Sequence, residues 1–148
     1  MSTEEENKEL VRRYLEEGWG KGNHSLLDQL LAPDFVDHHP ILGTTPDRSG
    51  QHQAVTMILN GMPDHRVTVQ HLLAEGDLVA DRWTSIGTHT GEIFGIQPTN
   101  KTLSVSGIDI LRIENGKIKE VWHEEDNLGF MQQLGVIPVP GQGQQRAA

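Results

Sequence analysis

The sequence predicts a single α+β domain in which three helices come first and an antiparallel sheet follows. Up to about residue 62, apolar side chains recur mainly at helical spacing, and from residue 65 onward they alternate with polar side chains as in strands. Asn115-Gly116 lies between two apolar-rich segments, which is the strongest short-range signal for a β-hairpin. No linker or repeat divides the 148 residues. We therefore expect one domain over residues 1–138 and a mobile tail, poor in apolar residues, over 139–148.

Apolar stripes and end signals predict the helices. The first begins in a capping-box pattern at Ser2 and should run to about Trp19, where glycines cluster. The second is expected over residues 24–31, directly after the capping residue Asn23, and the third over 51–62, just before Pro63. A short helical turn is expected to pack on the sheet over residues 128–135.

Period-two alternation predicts the strands. A short early strand over residues 35–40 should place Phe35, Asp37 and His39 on one side. A meander of about four longer strands follows, over 65–73, 78–90 and 103–113 and then after the Asn-Gly turn. In the first of these, strict alternation gives one face to Val67, Val69, His71 and Leu73.

Composition argues against several classes of function. The net charge of −9 and the scattered basic residues disfavour nucleic acid and anionic membranes as partners. The absence of cysteine excludes disulfides, cysteine-ligated zinc and a thiol nucleophile. The first residues lack the features of a signal peptide, and no apolar run approaches membrane-spanning length, so we expect a cytoplasmic protein.

The hairpin after residue 102 carries the polar residues of most interest. Strict alternation from the Asn-Gly turn would place Asp109 opposite Trp122 and leave His123 on the other face. The apolar residues Ile118 and Val121 are three apart, however, which breaks this register. One extra residue near Lys119-Glu120, a β-bulge, would turn His123 inward and set it directly across from Asp109.

An aspartate beside a histidine in a cleft can transfer protons near neutral pH. The same pair can equally serve only to satisfy two half-buried polar groups. Asp37-His38-His39 contains metal-ligand types, but adjacent strand residues point to opposite faces, so we expect no metal site. Trp83 and Trp122 are candidates for the walls of a pocket for a flat ligand, although a large aromatic residue on a strand is more often a plain core residue. The sequence lacks a phosphate-binding glycine loop, a Gly-x-Ser-x-Gly elbow and a His-Glu-x-x-His motif.

Several local motifs carry a resemblance to a known family. The Gly-Thr-His-Thr-Gly run from Gly87, the Pro-Thr after the glycine-rich loop, the Asn-Gly-Lys-Ile turn and the Gln-Leu-Gly ending resemble SnoaL-like proteins. These are polyketide or ester cyclases of the NTF2-like superfamily. The helices and the segment over residues 32–37 resemble the N-terminal half of that family, so the resemblance covers nearly all of the chain except the tail.

The resemblance implies a cone, in which a strongly curved sheet encloses a pocket that the three helices close. It also implies a homodimer formed through the outer face of the sheet. The family's cyclases close rings by aldol condensation without metal or cofactor, using an aspartate on the last long strand and a histidine on the preceding strand. Here the two residue types are exchanged, because His123 holds the position on the last long strand and Asp109 holds the position on the preceding strand. Asp37 holds the position of a polar residue that lines the pocket.

Two hypotheses follow from the residues and the resemblance. The first is an enzyme acting on a small hydrophobic carbonyl compound without a cofactor, with His123 as the acid/base and Asp109 orienting it. Its substrate would contact five further residues, Phe35, Asp37, His39, Trp83 and Trp122. The second is a non-catalytic module that binds a small ligand or another protein chain, which a cavity plugged by Trp83, Trp122 and methionine side chains would favour.

Overall fold

The computed structural model describes residues 2–141, which form four helices and one five-stranded sheet. The predicted tail falls largely on residues 142–148, which lie outside the described residues. Within the described part, no helix is long and apolar enough to cross a membrane. The helices are α1 (Thr3–Arg13), α2 (His24–Leu30), α3 (Arg48–Gly61) and α4 (Asn127–Leu134), and the strands are β1 (Leu31–Asp37), β2 (Arg66–Glu75), β3 (Leu78–Thr88), β4 (Thr102–Glu114) and β5 (Lys117–Glu125).

The first helix follows the predicted limits but changes its geometry near the end. The Ser2 hydroxyl accepts a hydrogen bond of 3.1 Å from the Glu5 backbone N–H and caps α1. From Tyr14 to Trp19 the chain continues as a π-helical turn, a rare geometry that is frequent at functional sites. A side chain at Gly20 would lie 2.3 Å from the carbonyl oxygen of Glu16, so glycine permits the tight exit from this turn.

The five strands are ordered β1-β5-β4-β3-β2. The predicted meander is confirmed, since β2 to β5 pair antiparallel with their neighbours in sequence. The early strand differs from the expectation of a purely antiparallel sheet, because β1 pairs parallel with β5. A parallel pair needs a long connection, and here α3 and three strands lie between β1 and β5.

The register shifts in the hairpin and in β2 decide which side chains of these strands face inward. In the hairpin, Arg112 pairs with Glu120 and Ile113 with Ile118, so Lys119 is the extra residue of the predicted bulge. This bulge sets Asp109 directly opposite His123.

A second shift, between Val69 and His71, makes the strict alternation predicted for β2 wrong. Beyond that shift Leu73 is 70% exposed, and Leu72 and Ala74 pack against the core instead.

The apolar residues form two clusters on the inner side of the sheet. The larger joins α1, α2 and β1 to the centre of the sheet and includes Val11, Leu27 and Leu111. The smaller includes Met62, Leu103 and Phe130. Side chains of both clusters line one cavity, so the site lies between two packed regions rather than at the protein surface.

Candidate active site

A cavity of about 120 Å³ opens between the π-helical turn, α3 and the inner face of the sheet. It has room for roughly ten water molecules or a ligand of similar size. Most of its wall is apolar. The polar and ionisable side chains in the wall are therefore the candidates for chemistry, namely Tyr14, Asp37, Gln51, His65, Ser85, Asp109, His123, Glu125 and Asn127.

Two buried carboxyl groups face each other across β3 and β4. Asp81 pairs with Asp109 in the sheet register, and the two residues are 3% and 5% exposed. Burial, followed by the charge of Asp109, raises the pKa of Asp81 to about 10. Burial also raises the pKa of Asp109 to about 6, although the neighbouring carboxyl group of Asp81 and the charge of His123 partly oppose this rise. At neutral pH, Asp81 is thus a neutral acid behind an ionised Asp109, which alone of the two lines the cavity.

His123 lies between two carboxylates on the inner side of β5. Its Nε2 is 2.8 Å from Oδ1 of Asp37, and its Nδ1 is hydrogen-bonded to the carboxylate of Glu125. Burial lowers the pKa of the imidazole, but the hydrogen bonds and charges of Asp37 and Glu125 outweigh burial and raise it to about 10. His123 is therefore an imidazolium at neutral pH, and both of its N–H groups donate to protein carboxylates.

A chain of hydrogen bonds fixes Asp37 from the other side. The amide nitrogen of Gln51 donates to Oδ2 of Asp37 over 3.0 Å. The amide oxygen of Gln51 accepts from the hydroxyl of Tyr14 at 2.5 Å and from Nε1 of Trp19 at 3.1 Å. Burial and the nearby carboxylates raise the pKa of Tyr14 well above its ordinary value, so its hydroxyl remains a donor. The π-helical turn and α3 thus position His123 through Gln51 and Asp37.

The structure brings together some of the residues predicted from the sequence. Asp109, His123, Asp37 and Trp83 line one cavity. The contacts that orient His123 come from Asp37 and Glu125, rather than from Asp109 as expected.

Three other predicted ligand contacts lie outside the wall of the cavity. Phe35 is buried in the larger apolar cluster. Trp122 precedes His123 in β5, so it points to the outer face, where its ring stacks on His38 at 4.7 Å between centroids. His39 lies beyond the end of β1, and its side chain is 54% exposed. Neither Trp83 nor Trp122 fills the cavity.

Three residues of the site, Asp81, Gln51 and Tyr14, were not predicted from the sequence. A signal for Asp81 existed, because it is the only charged residue among the inward-facing side chains of β3. Gln51 and Tyr14 gave no such signal, since each lies in a helical segment that mixes polar and apolar side chains. Among residues 2–141, no group of three or more His, Asp or Glu side chains is placed to hold a metal ion.

Comparison with known proteins identifies the family of the chain. A family model described as SnoaL-like polyketide cyclase matches residues 9–134. The chain belongs to the SnoaL-like polyketide cyclase family. The α+β cone with a pocket, which the resemblance implied, is confirmed for this SnoaL-like chain. A comparison with curated proteins finds no match.

Solved structures similar to this SnoaL-like chain come from several bacteria. A candidate polyketide cyclase from Bacillus cereus ATCC 10987 is 32% identical, with a TM-score of 0.80 over 93% of this chain and 87% of that chain. IdmH, a candidate polyketide cyclase from Streptomyces antibioticus, is 31% identical, with a TM-score of 0.76 over 88% of this chain and 99% of that one. TsrD from Streptomyces laurentii is 28% identical, with a TM-score of 0.82 over 93% and 100%.

Proposed function

We propose that this SnoaL-like protein is a cyclase-type enzyme that performs acid/base chemistry on a hydrophobic carbonyl compound, without a cofactor. The observation that carries the proposal is the carboxyl group of Asp109, which lines an apolar cavity and has its pKa raised to about 6. A general base is most effective when its pKa lies near the working pH, and burial has raised the pKa of this carboxyl group towards neutral pH.

The proposed step begins when the Asp109 carboxylate removes a proton from a carbon next to the ligand's carbonyl group. Negative charge develops on the carbonyl oxygen, and the imidazolium of His123 on the neighbouring strand stabilises it electrostatically. The enolate carbon then forms a bond to a second carbonyl carbon of the same molecule, and the resulting alkoxide takes the proton back from Asp109. The ring closure is an isomerisation, because no atom or electron is gained or lost.

These roles differ from the roles expected from the sequence. Both ring nitrogens of His123 are engaged by carboxylates, whereas the Asp109 carboxylate lines the cavity. Asp109 is therefore the better base and His123 the fixed positive charge. Asp81 acts through Asp109 in this scheme, since its neutral carboxyl group lies directly opposite that residue in the sheet.

Deuterium uptake by 1-tetralone in D2O, followed by proton NMR at the carbon next to the ketone, tests the proposal. The wild type should accelerate the exchange, and Asp109→Asn should reduce the acceleration by about 10²–10⁴-fold. Asp77→Asn, in the exposed turn between β2 and β3, is the matched control and should exchange at the wild-type rate. Exchange that persists in Asp109→Asn would contradict the role of Asp109. Binding of 1-tetralone without any exchange would favour the alternative of a non-catalytic binding module.

We further propose that two copies of the chain pair through the outer face of the sheet. Four large apolar side chains are exposed on neighbouring strands of that face, Leu78, Ile108, Ile110 and Trp122, which are 37–56% exposed. Sedimentation should show a dimer for the wild type and a monomer for Ile108→Lys, and a monomeric wild type would contradict the proposal.

A cytoplasmic location stays a prediction from the sequence.

A further inference from the structure

A second polar pair lies in the cavity wall, separate from the groups described above. Nε2 of His65 is 2.6 Å from Oγ of Ser85, and the two residues are 7% and 8% exposed. Among the described residues, no hydrogen bond connects this pair to Asp37, Gln51 or His123. The wall around the pair contains the apolar side chains of Met62, Val67 and Val105. Burial of polar groups in apolar surroundings is costly unless they are hydrogen-bonded, and in this pair Nδ1 of His65 has no partner among the described residues.

The chain places His65 against Ser85 through close backbone packing. After α3 ends, the His65 N–H donates to the carbonyl oxygen of Met62 over 2.9 Å and turns the chain towards β3. A side chain at Gly87 would lie 2.9 Å from Cβ of Met62 and 3.3 Å from Cα of His65. Glycine at this position therefore lets the segment from Met62 to His65 lie directly over β3, where the imidazole meets the hydroxyl of Ser85.

The protonation state of His65 decides what Ser85 offers to a ligand. Burial lowers the pKa of His65, and the backbone carbonyl of Trp19 and the charge of Asp64 oppose this only in part, so the ring is neutral. Nδ1 has no hydrogen-bond partner among the described residues. In the neutral tautomer with its proton on Nδ1, Nε2 accepts the hydroxyl hydrogen of Ser85, and the oxygen of Ser85 keeps two lone pairs for an incoming donor.

We propose that Ser85, positioned by His65, determines ligand specificity by accepting a hydrogen bond from a hydroxyl group at the end of the ligand remote from Asp109. The proposal rests on the proposed function in one respect, namely that the reacting carbonyl end of the ligand lies at Asp109. It adds a requirement for a second polar group, which the acid/base chemistry alone does not need.

The spacing along β3 indicates the size of this ligand. Ser85 follows Asp81 by four residues on the same face of the strand, and Asp81 pairs with Asp109, so the two ends lie roughly 13 Å apart. Contacts of about 2.8 Å at each end leave roughly 7 Å between the reacting carbon and the remote hydroxyl oxygen. Two fused six-membered rings span such a distance. The ligand class is therefore a bicyclic ketone with a hydroxyl group on the ring remote from the carbonyl.

Two ketones of equal ring size, 1-tetralone and 6-hydroxy-1-tetralone, test the proposal. Binding is measured by quenching of tryptophan fluorescence, since Trp19 and Trp83 line the cavity. The wild type should bind the hydroxylated ketone about three- to tenfold more tightly, as expected for one neutral hydrogen bond. Ser85→Ala should abolish this preference and leave the affinity for 1-tetralone unchanged. Ser104→Ala, an exposed serine of β4 outside the cavity, is the matched control and should keep the preference.

Variants of His65 separate positioning from plain packing. His65→Gln can still accept from the Ser85 hydroxyl and should keep most of the preference, whereas His65→Leu should lose it. An equal loss of affinity for both ketones in Ser85→Ala would overturn the proposal, because it would indicate a purely structural pair. Equal binding of the two ketones by the wild type would overturn it as well.

Asp109→Asn makes failure of the subsite distinguishable from failure of the proposed function. This variant should lose deuterium exchange and keep the preference for the hydroxylated ketone. If the wild type shows the preference but no exchange, the proposed acid/base function fails and the ligand subsite stands. If the wild type catalyses exchange but binds both ketones equally, the subsite fails and the acid/base function stands.

Discussion

The two faces of the β4–β5 hairpin carry the same kinds of charged groups in opposite environments. On the inner face, Asp109 lies opposite His123 beside a cavity, and burial raises the pKa of that aspartate to about 6. On the outer face, Arg112 lies opposite Glu120, with Nε and Oε2 2.5 Å apart, and the hydrogen bonds from Arg112 and His38 lower the pKa of Glu120. Removal from water therefore raises the pKa of the inner aspartate, whereas the outer pair is an ordinary surface ion pair.

The largest expected difference between the faces concerns stability. The pKa of Asp81 is raised to about 10 from an ordinary value of 3.8, so the folded protein holds this proton more tightly than the unfolded chain. The carboxyl group of Asp81 therefore makes its whole contribution to stability below about pH 4, and this contribution is lost as the pH rises towards 10. At pH 7, which is about 3 units above the ordinary pKa of an aspartate, the loss of stability relative to low pH is at most about 4 kcal/mol.

Asp81→Asn should remove this penalty and stabilise the protein at neutral pH while reducing deuterium exchange. Denaturant unfolding at pH 4 and pH 8 measures the effect, and the advantage of the variant should grow with pH. Asp77→Asn on the exposed turn should show no such growth. A variant that is less stable than the wild type at both pH values would contradict the account of the inner face.

The second difference concerns the titration of His123. Its pKa is raised to about 10 by Asp37 and Glu125, which outweigh burial. Asp37→Asn removes one favourable negative charge and should lower this pKa by about 1–3 units, as followed by NMR of the imidazole.

Two other carboxylates provide controls for this titration. Asp109→Asn should lower the pKa of His123 by less, because Asp109 makes no hydrogen bond to the ring. Glu120→Gln on the outer face should leave it unchanged. An unchanged pKa in Asp109→Asn would show that the two groups do not interact, and His123 would then not stabilise charge near Asp109.

The sequence predicted the fold because its information is local and repetitive. Apolar spacing located the helices, and Asn115-Gly116 located the hairpin. Even the bulge at Lys119 could be predicted, since Ile118 and Val121 can both face inward only if one residue between them has no partner on the neighbouring strand. That bulge in turn placed Asp109 opposite His123.

The sequence could not predict the partners of His123 in the same way. Asp37 reaches the imidazole because β1 enters the sheet parallel to β5, a choice that no local pattern specifies. Gln51 reaches Asp37 because of how α3 packs on the sheet. Trp122 was misplaced as a pocket residue for a simpler reason, because the bulge that turns His123 inward also turns its neighbour outward.

The smallest expected effect belongs to the outer face. Glu120→Gln removes the carboxylate that pairs with Arg112 and His38, and the side chain of Glu120 is 22% exposed. Because water and salt screen such a pair, its loss should cost less than about 1 kcal/mol of stability, and the cost should shrink further at high salt. The deuterium exchange rate of 1-tetralone should stay at the wild-type value, because the outer face has no contact with the cavity. Unfolding at low and high salt, together with that exchange rate, measures both outcomes. A large loss of stability that does not depend on salt would mean that the two faces are energetically coupled, and the contrast between them would then not rest on burial alone.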